Sequence, residues 1–165
     1  MKYLLISIAF FFTHFQSLDL ANVRQAYKDA AQSPEKVEAF YNSMKSVSKT
    51  DNMALVGYKG ASIALKARSG KTLKDKKDGF IEGVGFIEFA IEKESNNIEL
   101  RFIRLGIQEN TPKILKYNQA IETDKQFILK QFKFISSNNL KNHLKDYILQ
   151  SDSFTSEEKS VISGR

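Results

Sequence analysis

Three side chains near the middle of the chain, Arg101, Arg104 and Gln108, stand at i, i+3 and i+7. That spacing stacks them along one side of a helix. Leu100, Ile103 and Ile107 make one apolar face, and Phe102, Leu105 and Gly106 cover much of the rest. A guanidinium offers five donors in a planar fork that grips a carboxylate at two points. On a helix apolar on two sides, such groups either line a groove for a partner or an anion, or are paired inside the fold. Burying them unpaired would cost several kcal/mol each. Asn110 and Tyr117 extend this polar set into the segment that Thr111-Pro112 opens.

A second charged feature is the basic run Lys66, Arg68, Lys71, Lys74, Lys76 and Lys77, broken by Asp75 and Asp78. It reads as a solvated loop and helix start, or as a dock for an acidic partner or an anionic polymer. Catalytic and metal chemistry find little to work with. There is no Cys, so thiolate nucleophiles, thiolate metal sites and disulfides are excluded. His143 is the one histidine beyond the first twenty residues. Flanked by Lys141 and Lys145, it reads as solvent-facing. No His/carboxylate group has metal-ligand spacing, and no Ser sits in a nucleophile elbow. The carboxylates are scattered beside lysines, as surface ion pairs would be. The glycines of Gly83-Val84-Gly85 fall in mid-helix, where backbone N–H groups are already bonded, so they do not cradle a phosphate. We therefore read the chain as non-catalytic, with no cofactor and no metal.

The elements that must hold these residues are helices. With 165 residues, 42% hydrophobic and 27% charged, the chain is one domain long with enough apolar mass for a core. Two prolines and eight glycines favour long helices over a turn-rich sandwich. The start has the layout of an export signal. Lys2 precedes an apolar run from Tyr3 to Phe12, and Gln16-Ser17 closes it. The run is short of the about 20 apolar residues a spanning helix needs. Residues 1–17 are thus expected to be a signal peptide, with an uncleaved anchor as the alternative, and residues 18–165 a helical domain. Without Lys2 the chain carries 24 basic and 19 acidic residues, a net of +5. That mild excess does not call for nucleic acid.

The pattern predicts helices over 20–32 behind Asp19, from Ser33-Pro34-Glu35 through Val47, over 53–68, 73–93, 98–109, 119–134 and 140–150. A short capped helix follows Thr155. The third carries a face of Gly57, Gly60, Ala61 and Ala64, and the fourth answers with Gly79 and Gly83 four residues apart. Gly costs about 0.5–1 kcal/mol relative to Ala inside a helix. Facing glycines therefore imply two backbones too close for side chains between them. The fourth and fifth helices, joined at Glu94-Ser95-Asn96-Asn97, look apolar around most of their circumference and are expected inside the fold.

The run from Phe86 to Arg101, in which Ala90-Ile91-Glu92 ends one helix and Asn96-Asn97 turns into the next, resembles the junction between two tetratricopeptide repeats. Helical hairpins of that kind bury their faces by stacking on one another. The segment Arg101-Phe102-Ile103-Arg104-Leu105 with Gln108, Asn110, Pro112 and Tyr117, together with Lys59-Gly60-Ala61, is similar to a group of small exported helical proteins of bacteroidete-type bacteria. The likeness implies export and fold, and carries no activity with it. The expected architecture is all-α, about seven helices in stacked antiparallel hairpins. The expected role is an exported interaction or scaffold module, periplasmic or secreted, meeting a protein or peptide of the cell envelope. The alternative is a binder of a small anion or polyanion, through Arg101 and Arg104 or through the Lys66–Lys77 run.

Overall fold

Side-chain caps set most of the helix starts. Asp19 accepts from the N–H groups of Ala21 and Asn22 and begins α1 (Leu20–Gln32). Ser33 ends it, and Pro34 opens α2 (Pro34–Ser43) at a position that has no N–H to lose. Asn52 caps α3 (Met53–Ala67), and Thr72 with Asp75 forms a reciprocal box at the start of α4 (Leu73–Lys93). Asn97 caps α5 (Ile98–Glu109). A single 3-10 turn at Lys113–Leu115 leads to α6 (Ile121–Gln131), which tightens into a second 3-10 turn at Phe132–Phe134. Ser137 caps α7 (Asn138–Gln150), and a Thr155/Glu158 box starts α8 (Ser156–Ser163). This computed structural model describes residues 18–164. The signal peptide expected over residues 1–17 lies outside them.

The protein is all-helical, with eight helices around one core and no strand among the described residues. No helix among them is long and apolar enough to cross a membrane. The second helix is shorter than its periodicity suggests. Met44 and Val47, expected on α2, lie in the turns after it and are still buried. The seventh helix, expected from residue 140, starts earlier: Ser137 caps it and Asn138 and Asn139 open its first turn.

The interior helices are α3 and α5. On α5, every residue from Leu100 to Gln108 except Arg101 is buried. The helix α4, expected inside along with α5, buries one face only: Gly83, Ile87, Ala90 and Ile91. The reason lies in what its other apolar residues touch. Phe86 and Phe89 are half-buried beneath ammonium groups, Lys49 standing 5.4 and 4.8 Å from their ring centres, Lys59 over Phe86 and Lys93 over Phe89. Ile81 is 53% exposed. Lysines from the loop before α3, from α3 and from the end of α4 stand over that side.

The α3–α4 contact is made through glycine. A Cβ on Gly60 would lie 2.5 Å from the Gly83 carbonyl oxygen, and one on Gly83 would lie 2.6 Å from both Ala64 N and Gly60 O. Gly79 meets Ala67 in the same row, with 3.0 Å between its would-be Cβ and the Ala67 Cβ. Gly57, on the other side of α3, takes the tips of Leu100 and Ile103 from α5. The small-residue face of α3 thus seats α4 against backbone, and α5 fits against its flank.

Candidate functional site

Two polar networks cross the core, and each ties α5 to its neighbours. In the first, Asp124 of α6, with no exposed surface, takes Arg104 at two points: Nε to Oδ2 at 2.6 Å and Nη2 to Oδ1 at 2.7 Å. The third guanidinium nitrogen of Arg104 donates to Glu88 of α4 at 2.8 Å. Tyr117 donates its hydroxyl to the other oxygen of that carboxylate at 2.5 Å. Arg101 reaches Asp124 at 3.2 Å and the Ser95 carbonyl at 2.9 Å, with its guanidinium over the Phe127 ring. Burial works against the charge on Arg104, but the bonds and pull of Asp124 and Glu88 outweigh it, so its pKa lies above the ordinary arginine value. Burial and then Glu88 push the Tyr117 phenol upward.

Arg101, Arg104 and Tyr117 therefore converge, and their donors are engaged within the protein. Gln108 is buried in the same row with its Oε1 unpartnered, and Asn110 donates to the Gly106 carbonyl at the end of α5. By spacing alone, Asp124 and its neighbour Lys125 look like ordinary surface polar residues of the sixth helix. Both are buried, Lys125 lying against Glu122 and Glu158.

The second network was not legible from spacing. Arg24 of α1 binds Glu99 of α5 through Nε at 2.7 Å and Nη2 at 2.8 Å, and donates to Asn139 of α7 at 2.9 Å. Tyr58 adds a hydroxyl bond to Glu99 at 2.9 Å. Arg24 is 7% and Glu99 3% exposed, so the expectation that carboxylates sit beside surface lysines fails here as it does at Asp124. The available signal was position: Arg24 is one residue from Val23 and one turn from Tyr27, on the apolar face of α1.

The lysine-rich run does not assemble into one site. Lys66 pairs with Glu38 and Lys74 with Asp78, while Lys71, Lys76 and Lys77 are exposed on the α3–α4 turn and the first turns of α4. Arg68, like Lys71, Lys76 and Lys77, has no ion-pair partner among the described residues; it differs from them in lining two hollows.

The larger hollow is a cleft of about 480 Å³ between α1, the end of α3, α5 and α7. Rings of Tyr27, Phe102, His143 and Tyr147 form one part of its wall. Phe102 meets His143 and Tyr147 edge-on at 5.0 and 4.9 Å between centres. Gly106 forms its floor, where a Cβ would stand 2.8 Å from the Tyr27 hydroxyl. Glu109 projects from the last turn of α5 and accepts from Tyr147 Oη and from Ser151 Oγ, the latter at 2.7 Å. Lys28 and Asp146 pair at 2.8 Å and join α1 to α7 along the rim. Burial pushes the Tyr27 phenol up, with Arg68 pulling it down and Glu109 pushing it further up. The smaller hollow, about 270 Å³, shares Arg68, Ile107 and Asn110 with the cleft and adds Lys76, Phe80 and Pro112.

His143, expected to face solvent, does not. It is half-buried, its Nε2 shut off from solvent with no hydrogen-bond partner. Burial, and then Arg24 and Lys28, lower its pKa to about 4 against the opposing pull of Asp146. The ring is thus neutral in the fold, whereas an unfolded chain takes up the proton near the ordinary value of about 6.5. Stability is full above that pH and falls as pH drops towards 4, by on the order of 2 kcal/mol once partial contact with solvent is allowed for. In urea melts at pH 7 and pH 4.5, wild type should lose more stability than His143→Phe, which has no proton to bind. Equal losses would show that the ring is not held neutral.

Compared with family models, with curated proteins and with solved structures, the chain finds no match in any of the three. The functional reading therefore stands on this geometry.

Proposed function

We propose that this is an exported, non-catalytic helical binding module, and that its partner is received in the cleft between α1, α5 and α7. The observation that carries this reading is the contrast between the two polar sites. The arginine row on α5 is engaged internally by Asp124 and Glu88. The cleft instead gathers aromatic rings, a guanidinium at Arg68 with no ion-pair partner among the described residues, and an oriented carboxylate at Glu109. Small-ligand sites have this composition, mostly apolar walls with a few convergent polar groups, in hollows of about 300–1,000 Å³. The pairing of Arg101 and Arg104 also weighs against the anion-binding alternative at that row. The signal-like start supports export, and the tetratricopeptide-like hairpin supports a role in binding. A general acid–base role for His143 is disfavoured, because its pKa moves away from neutrality and no carboxylate among the described residues bonds to it.

Photo-cross-linkers placed at single positions in the native envelope would test this. A residue at Gln150, on the cleft rim, should yield one discrete adduct, while Glu92, exposed at the far end of α4, should yield none. Adducts only from Lys74 or Lys77 would transfer the function to the lysine-rich run. Adducts only from Glu92 would reject the cleft.

A further inference from the structure

Elsewhere in the interior this protein matches its charges closely. Arg24 is met by Glu99, Arg104 by Asp124 and Glu88, and Lys125 by Glu122 and Glu158. The cleft presents two charges without such partners. Arg68, exposed just past the end of α3, offers five N–H donors and forms no ion pair among the described residues. Glu109, partly buried, is held by two hydroxyl donors and by no cation among the described residues. Both hydroxyls donate to it, so they fix its orientation without cancelling its charge. Tyr147 is kept protonated in that role, its phenol pushed well above the ordinary range by burial and then by Glu109. Both charged groups act on the Tyr27 phenol, Arg68 pulling its pKa down and Glu109 pushing it up.

The two charges are also reinforced differently. Arg68 faces the smaller hollow as well, where Lys76 adds a second cation. Ser151, which bonds Glu109, lies with Asp152 and Ser153 in the cleft wall just past the C-terminal end of α7. The unsatisfied carbonyls of a helix C-terminus favour a cation there. The cleft is therefore dipolar, with an aromatic wall beside it.

We propose that the cleft binds a small zwitterion of the amino-acid or short-peptide type, its carboxylate on Arg68, its ammonium on Glu109 and its side chain against Phe102 and Tyr147. This rests on the reading of the cleft as the receptor site. A guanidinium grips a carboxylate in two-point fashion. Glu109, already oriented by its hydroxyls, accepts from an ammonium without reorganising. The volume of about 480 Å³ suits a ligand of dipeptide size.

Calorimetric titration of the full domain with the dipeptide phenylalanyl-alanine, its N-acetyl form and its C-terminal amide would test this. The free dipeptide should bind at least tenfold more tightly than either blocked form. Glu109→Gln should erase the difference between free and N-acetyl forms while keeping the difference from the amide. Arg68→Met, at an exposed position, should do the reverse. Thermal melts of both variants check that they are folded. Equal affinity for all three forms would overturn the zwitterion and leave the cleft as a receptor for other chemistry. No binding of any form up to millimolar concentration would also overturn it, and the adduct from Gln150 then decides separately whether the cleft receives a partner at all.

Discussion

Asp124→Ala should destabilise the protein by about 3–5 kcal/mol, the usual cost of removing one member of a buried, hydrogen-bonded ion pair. Asp124 has no exposed surface and serves two arginines from adjacent turns of α5. Its loss leaves the Arg104 guanidinium in the interior with Glu88 alone, and Glu88 is itself partly exposed. Urea melts followed by circular dichroism would read the change as a lower midpoint with the same slope. The double replacement Arg104→Met with Asp124→Leu should recover much of the loss, because removing both charges also removes the desolvation cost. A single-variant loss below about 1 kcal/mol would mean that water or a rearranged partner reaches Arg104, and that the row is not internal scaffolding.

Gly83→Ala and Gly85→Ala should move stability in opposite directions. Gly to Ala in a helix interior ordinarily gains about 0.5–1 kcal/mol. Gly85 has nothing within 4 Å of its would-be Cβ, so that gain should appear in full. At Gly83 the same methyl would stand 2.6 Å from two backbone atoms of α3, and backbone cannot swing aside as a flexible side chain can. Separating the two helices to admit it should cost about 2–3 kcal/mol, the upper part of the range for overpacking. Thermal melts of the two variants, two residues apart on one helix, share every propensity term and isolate the contact. An unchanged or raised melting temperature for Gly83→Ala would show that α3 and α4 can separate freely.

The contrast between what the sequence disclosed and what it withheld follows from range. Helix starts are local chemistry, so Asp19, Pro34, the Asn96-Asn97 turn and Thr155 announced four of them within a residue or two. The Gly60/Gly83 apposition was also legible, because glycine is costly in mid-helix and two successive helices carry it where close backbone contact would offset that cost. The arginine row was visible as polar groups on an apolar helix, but its partners were not. Asp124 and Glu88 are 20 and 16 positions from Arg104, on two other helices, and a carboxylate on an amphipathic helix looks the same whether it faces water or a guanidinium. Arg24 and Glu99, 75 positions apart, were hidden for the same reason.

The cleft was the least legible feature. Tyr27 and Tyr147 read as core, and Arg68 and Glu109 as surface; only the meeting of four helices makes one wall of them. Two tyrosines on core faces, each with a hydroxyl that must be satisfied or left at an opening, were the available hint. The exposure of α4 departs from its pattern because Phe86 and Phe89 count as core by hydropathy. Lysines from the loop before α3 and from α3 stand over them.

The glycine contact also governs how the molecule can move. With carbonyl and amide groups of α3 and α4 in direct apposition at Gly60 and Gly83, neither helix can slide along the other by a turn without driving Ala64 or Ile87 into the neighbouring backbone. Leu65 of α3 and Arg68, its C-cap, line the cleft beside that locked contact. Widening of the cleft is then expected on the opposite side, at α1 and α7, whose rim link is the half-exposed Lys28–Asp146 pair. Admission of a guest would be set by the breathing of that side, and salt, which weakens such a surface pair, would act as its lubricant.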